Sequence, residues 1–204
     1  MRIGFVTSSD NKVEEIQTTL GTGFDLAKLT ADIDEFQPVN ILDPTNLITK
    51  KLRKAQALFP DEDHIIVEDT SLCIDALFGL PGLNIKQWLE APKYWYGTED
   101  IDPKLAPNLI YNMARGAQMH GELAATATVF VGHAYCDQIS IVKGSISGHL
   151  LPAGDNGWGF DRILAVEYEG ETKRLGDFGL EIKSQISHRA LGAKALKQHL
   201  SANY

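Results

Sequence analysis

The sequence has few of the features that mark secreted, zinc-stabilised or membrane proteins. Its 204 residues include only two cysteines, Cys73 and Cys136, in separate segments and without a histidine or cysteine partner at metal-ligand spacing. This argues against a disulfide framework and against a structural zinc site. No stretch approaches the length and apolarity of a membrane span, so we expect no membrane partner. The apolar run at residues 3–6 is too short for a secretory signal, and we therefore expect a cytoplasmic protein.

Basic residues are also scarce. There are 19 lysines and arginines against 27 aspartates and glutamates, which gives a formal net charge of −8. This balance argues against sequence-independent attraction to a nucleic-acid backbone, so we expect no nucleic-acid partner. A small phosphorylated ligand would need a local cationic patch, a divalent metal ion or a helix N-terminus.

The residues that are present indicate one α/β domain over residues 1–204. Apolar residues make up 44% of the chain, enough for a sizeable core, and no repeat, low-complexity tract or linker interrupts it. Strands are predicted at 3–6, 24–29, 64–67 and 160–166, with a long hairpin at 125–135 and 139–150. Helices are predicted before Gly21, from Asp43-Pro44 to near Pro60, twice within 84–116, and after Ser187. This order is typical of an α/β protein with a mixed sheet.

Two adjacent carboxylates follow the predicted strand at 64–67. If that strand ends there, Glu68 and Asp69 reach the crevice where open sheets bind ligands. Paired carboxylates suit hard cations such as magnesium, and one of them could orient or deprotonate water. A solvated strand end with an acidic turn is the alternative interpretation.

Two segments could supply contacts to phosphate. Residues 7–12 lie between a strand and a helix, so hydroxyls, the helix N-terminus and Lys12 could hold phosphate oxygens there. Ordinary N-capping by serine or aspartate explains the same residues. The predicted helix at 43–60 carries Lys50, Lys51, Arg53 and Lys54, which either reach a cleft or form a solvated face.

Two later segments could recognise a base. Residues 154–161, GDNGWGFD, combine turn glycines with two aromatic rings that either stack on a heterocycle or belong to the core. Ser187-His188-Arg189 lies at a predicted helix start, where its donors could recognise base carbonyls. Serine capping with a surface His-Arg pair is the alternative there.

Taken in order, the segments FVTSSDNK, VEDTSLCIDALFGLPG, GWGFD and ISHRA resemble the inosine triphosphate pyrophosphatase family, whose members hydrolyse non-standard purine nucleoside triphosphates. The resemblance covers nearly the whole chain. It implies an elongated mixed α/β sheet with flanking helices, two lobes around a nucleotide-binding cleft, and a homodimer. It also implies conversion of inosine, deoxyinosine and xanthosine triphosphates to the monophosphate and pyrophosphate, with magnesium as cofactor and manganese as the alternative.

The resemblance also implies roles for individual residues. Asp69, Glu68 and Lys12 would be catalytic, with Asp69 activating water, and Glu35, Glu68 and Asp69 would bind metal. The helix lysine would be Lys54, with Lys51 as the alternative. The residues implied to bind substrate are Thr7, Ser9, Lys12, Lys54, Trp158, Phe160, Asp161, Lys183, Ser187, His188 and Arg189.

Three positions depart from the family pattern. The family usually has asparagine at Ser9, Arg-Gly at Ala153-Gly154, and proline at Arg162. These changes leave two alternatives open: a nucleotide-binding module with little turnover, and the same reaction on another modified or standard nucleotide.

Overall fold

The computed structural model describes residues 1–33, 40 and 42–204. The strands in these residues are β1 (Arg2–Val6), β2 (Asp25–Leu29), β3 (His64–Ile74), β4 (Pro81–Gly82), β5 (Ala124–Tyr135), β6 (Gln138–Leu150), β7 (Leu164–Tyr168) and β8 (Glu171–Arg174). The helices are α1 (Asp10–Leu20), α2 (Thr45–Leu58), α3 (Ile85–Tyr96), α4 (Leu105–Ala117), α5 (Leu180–Ile186) and α6 (His188–Asn203). In the described part of the chain, no helix is both long and apolar enough to cross a membrane.

All eight of these strands belong to one mixed sheet in the order β2-β1-β3-β5-β6-β7-β8, with β4 paired to β3. Strand β1 runs parallel to β2 and to β3, with Gly4 opposite Ile65. Strands β6, β7 and β8 pair antiparallel. The predicted mixed α/β class is therefore confirmed.

The chain divides into two compact units. Unit 1 comprises Met1–Thr70, Thr128–Ser145 and Ser187–Tyr204, and unit 2 comprises Ser71–Ala127 and Ile146–Ile186. Each unit has its own apolar core.

In unit 1 the two faces of the sheet are covered by different helices. Ile66 packs in a cluster with residues of α1 and α6, whereas Ile65 and Val67 pack in a cluster with residues of α2. Because successive strand residues point to opposite faces, the position of a residue along β3 decides which helices it meets.

Glycines let two helices lie close to the sheet in unit 1. A Cβ atom on Gly132 of β5 would lie 2.3 Å from Ile48 of α2. A Cβ atom on Gly192 of α6 would lie 2.4 Å from Val129 of β5. Only glycine fits at such distances, so these residues set how closely α2 and α6 approach the sheet.

Several predicted boundaries change. The strand predicted at 64–67 continues to Ile74, and the segment predicted as a strand at 160–166 begins as a 3-10 helix at Gly159–Arg162 before β7. The helix predicted to start at Asp43-Pro44 begins at Thr45, with Pro44 as its N-cap. The Asp43 carboxylate accepts a hydrogen bond from the Thr45 amide at 2.9 Å. Sequence analysis did not predict helix α5 or strands β4 and β8.

Candidate active site

Glu68 lies at the centre of a buried group of charges in unit 1. It is two residues beyond Ile66 on β3, so its side chain points to the face covered by α1 and α6. Lys12 of α1 forms an ion pair with Glu68 Oε1. From α6, Arg189 Nε lies 3.4 Å from Glu68 Oε2.

A second carboxylate completes this group. Glu15, one turn after Lys12 on α1, has Oε2 2.6 Å from Arg189 Nη1, and both side chains are buried. We refer to Lys12, Glu15, Glu68 and Arg189 as the charge cluster; three of these residues are buried and Lys12 is partly exposed. Its two cations and two anions offset one another, which lessens the cost of taking charges out of water.

The cluster keeps Glu68 ionised. Burial by itself raises the pKa of Glu68, but the positive charges of Lys12 and Arg189 outweigh burial and lower this pKa from its ordinary 4.5 to about 2. Glu68 is therefore a carboxylate at neutral pH.

Asp69 belongs to a different group. Its Oδ2 atom is 2.7 Å from Nζ of Lys51 on α2, and its Oδ1 atom accepts a hydrogen bond from the Thr70 amide at 2.9 Å. The expectation that the strand ends at Glu68 and Asp69 is wrong, because β3 runs through both. The two carboxylates thus point to opposite faces of the sheet, and each meets a lysine from a different helix.

Lys51 and Lys54 differ in their surroundings. Lys51 is buried and contacts Asp69, whereas Lys54 is half-buried one turn further along α2. The structure therefore places the alternative lysine, Lys51, against Asp69.

The hydroxyl groups before α1 stabilise the start of this helix. Ser9 is the N-cap, and its Oγ atom accepts a hydrogen bond from the Lys12 amide at 3.4 Å. Thr7 Oγ1 accepts a hydrogen bond from the Ser9 amide at 3.2 Å. These bonds fix the turn that directs Lys12 towards Glu68.

Helix α6 begins after Ser187, as predicted. Ser187 is the N-cap and its Oγ atom accepts a hydrogen bond from the Ala190 amide at 3.1 Å. His188 and Arg189 follow as the first helical residues, and both are buried, so the interpretation as a surface His-Arg pair is wrong.

The remaining predicted substrate residues lie in unit 2. Lys183 of α5 forms an ion pair with Asp161, with Nζ 2.6 Å from Oδ2, and both side chains are buried. Phe160 is only 7% exposed and belongs to the apolar core, whereas Trp158 is 37% exposed. Of these two rings, Trp158 is the one presented to solvent.

The predicted metal ligands are described only in part. Glu35 lies outside the described residues. Within the described part of the chain, no three histidine, cysteine, aspartate or glutamate side chains are grouped to hold a metal ion. Glu68 and Asp69 do fit a hard cation in donor chemistry, because both are carboxylates and Glu68 is ionised.

Glu15 is the member of the cluster that sequence analysis missed. The sequence feature that could have revealed Glu15 is its position three residues after Lys12, because residues at that spacing share a helix face. Its partner Arg189 is 174 residues away, which no local pattern reveals.

The chain matches known proteins along nearly its whole length. The model of the Ham1 family matches residues 3–199. Inosine triphosphate pyrophosphatases from Puccinia graminis f. sp. tritici and Fusarium vanettenii are each 28% identical to it, covering 98% and 93% of this chain and 97% and 90% of theirs. A HAM1 protein from Coxiella burnetii has the same fold, with a TM-score of 0.75 at 18% identity over 99% of both chains.

Proposed function

The chain belongs to the Ham1 family, and from this membership we propose that it hydrolyses non-standard purine nucleoside triphosphates to the monophosphate and pyrophosphate. Inosine, deoxyinosine and xanthosine triphosphates are the proposed substrates. The observation that carries this proposal is the family match over residues 3–199, together with an ionised Glu68 flanked by Lys12.

The proposed reaction breaks the phosphoanhydride bond between the α- and β-phosphates. The oxygen of a water molecule forms a new bond to phosphorus, and the bridging oxygen leaves with the bonding electron pair. Asp69 would orient this water and accept its proton. The ion pair with Lys51, with Nζ 2.7 Å from Oδ2, supports this role because it holds the Asp69 carboxylate in one position.

We propose magnesium as the divalent metal, with manganese as the alternative. Glu68 and the undescribed Glu35 would hold it, whereas Asp69, which points to the opposite face of β3, would act on the water. When bound, the metal would neutralise charge on the phosphate oxygens. Lys12 would add a positive charge at the phosphates, which stabilises both the bound substrate and the transition state.

For the helix lysine we propose Lys51, with Lys54 as the alternative that the family resemblance implies. Support for Lys51 comes from its contact with Asp69 at 2.7 Å. It would act by holding the base that activates water, rather than by touching phosphate alone.

The base end of the substrate would be recognised by side chains from two segments, residues 158–160 and residues 183–189. We propose stacking on Trp158, because its ring is partly exposed, while Phe160 supports the turn from the core. Donors from Lys183, Ser187 and His188 would read the 6-keto edge of the purine. Arg189 contacts Glu15 and Glu68, which supports a role in holding Glu68 ionised. A part for Arg189 in base recognition is proposed from the family resemblance alone.

Steady-state hydrolysis on a panel of nucleotides tests this function. Purified protein with magnesium should hydrolyse inosine, deoxyinosine and xanthosine triphosphates with higher kcat/KM than adenosine or guanosine triphosphate. The Asp69→Asn variant is the control for contaminating activity. Binding without turnover in the wild-type protein, measured by calorimetry beside the assay, would contradict enzymatic function.

We also propose that the protein is a cytoplasmic homodimer, as its family resemblance implies. Sedimentation equilibrium at micromolar concentration measures the assembly directly. A mass equal to that of the 22.4 kDa chain at all concentrations would contradict the dimer.

A further inference from the structure

The turn that carries Trp158 is held by side chains from several elements of unit 2. Residues 154–161 form this segment, which we call the aromatic turn. Just before it, Asn108 Oδ1 accepts a hydrogen bond from the Ala153 amide at 2.9 Å, and Arg174 Nε donates to the Pro152 carbonyl at 2.8 Å. Such anchors fix where the turn begins.

Arg162 closes the other end of the aromatic turn. Its Nη1 group donates to the Gly154 carbonyl at 3.1 Å and to the Asp155 carbonyl at 2.5 Å. The Gly154 amide in turn donates to the Arg162 carbonyl at 2.9 Å. Both main-chain and side-chain hydrogen bonds therefore connect the two ends of the turn.

The charge of Arg162 strengthens this closure. Hydrogen bonds from a cation are stronger than those between neutral groups, and a planar guanidinium holds its donors in fixed directions. Asp155, whose carbonyl Arg162 contacts, is also fixed through its carboxylate, with Oδ1 2.8 Å from Lys104 Nζ. Contacts within unit 2 thus hold both ends of the turn.

We propose that Arg162 is a positioning residue for substrate binding: by closing the aromatic turn, it holds Trp158 ready to receive the base. This inference rests on the proposed function. A turn that is ordered in advance loses less conformational entropy when the ligand binds, so the benefit appears in affinity rather than in the chemical step.

Kinetics of the Arg162→Ala variant test the proposal. KM for inosine triphosphate should rise about tenfold, the scale of losing one charge-assisted hydrogen bond, while kcat stays within about twofold. The inhibition constant of inorganic tripolyphosphate, which has no base, should be unchanged. Arg162→Lys keeps the charge without the planar fork, and its KM should rise less; this variant carries the test if Arg162→Ala does not fold.

Arg115→Ala is the matched control. Arg115 lies in the same unit and also donates to a main-chain carbonyl, that of Gly121 at 3.0 Å, but it does not contact the aromatic turn. Its removal should leave KM unchanged.

Hydrogen exchange of the ligand-free protein provides a readout that does not depend on activity. In Arg162→Ala, amides of residues 153–161 should exchange at least about tenfold faster than in the wild type, because the turn opens more often. Unchanged exchange in this segment, or an equal rise in the inhibition constant of tripolyphosphate, overturns the positioning role. Absence of turnover in the wild-type protein instead overturns the proposed function.

Discussion

Replacing Arg189 by alanine should destabilise the protein strongly, because it leaves buried carboxylates without one of their cations. Arg189 contacts Glu15 and Glu68, and its side chain is only 3% exposed. Removing one partner from a buried ion pair costs about 3–5 kcal/mol, since the remaining charge cannot regain its hydration. For a chain of this length, a loss of about 3 kcal/mol corresponds to a fall in Tm of roughly 6–12 °C.

The same change should make stability depend less steeply on pH in the acid range. In the wild type the pKa of Glu68 is lowered from 4.5 to about 2, so its stabilising contribution is present above pH 4.5 and is lost as the pH falls towards 2. At 1.36 kcal/mol per pKa unit, this contribution is roughly 3 kcal/mol. Loss of the Arg189 charge raises the pKa of Glu68 towards its ordinary value, so the contribution shrinks and the decline in stability between pH 4.5 and 2 becomes shallower.

Differential scanning calorimetry at neutral pH measures the effect, and the chain offers a matched control. Arg2 and Glu62 also form an ion pair at 2.6 Å, but the Arg2 side chain is 61% exposed. Exposed pairs contribute about 0–1 kcal/mol, so Arg2→Ala should change Tm by no more than roughly 4 °C. Equal falls in Tm for Arg189→Ala and Arg2→Ala would refute the reasoning, because the cost of removing an ion-pair partner would then not depend on its burial.

Three further predictions concern catalysis and pH. Asp69→Asn should lower kcat by at least about a hundredfold while circular dichroism shows a folded protein, as expected for a lost general base. Lys51→Ala should lower kcat more than Lys54→Ala, because Lys51 contacts Asp69; the reverse order in steady-state assays would favour Lys54. Burial and two neighbouring histidines lower the pKa of His133 from 6.5 to about 4, so wild-type stability should decline as the pH falls from 6.5 to 4. In His133→Phe, the slope of Tm against pH over that range should be shallower.

Local patterns were sufficient for several elements of the fold. The apolar spacing of Ile16 and Leu20 and the glycine after them predicted α1 and its end at Gly21, where the positive φ of 77° favours glycine. The long hairpin was predicted at 125–135 and 139–150, and each of its strands, β5 and β6, begins one residue earlier than predicted. Ser187 caps α6 as predicted.

The extent of β3 could not be read from the sequence, because its polar residues resemble a turn. Glu68 and Asp69 continue the strand since lysines from two other helices offset their charge. Such compensation exists only after the chain has folded, so a local pattern does not contain it.

The aromatic turn illustrates a second limit. Both of its rings directly follow a glycine, yet Phe160 is in the core and Trp158 is partly exposed. The alternation of small residues and rings does not decide between packing and ligand stacking. The packing of the unit 2 core decides it.

Product analysis with inosine triphosphate tests the proposed reaction most directly. Purified wild-type protein is incubated with the nucleotide and magnesium, and the products are resolved by ion-exchange chromatography, with Asp69→Asn as the parallel control. Inosine monophosphate and pyrophosphate should form in equal amounts in the wild-type reaction and be nearly absent from the control. Formation of inosine diphosphate and orthophosphate without pyrophosphate would contradict cleavage between the α- and β-phosphates.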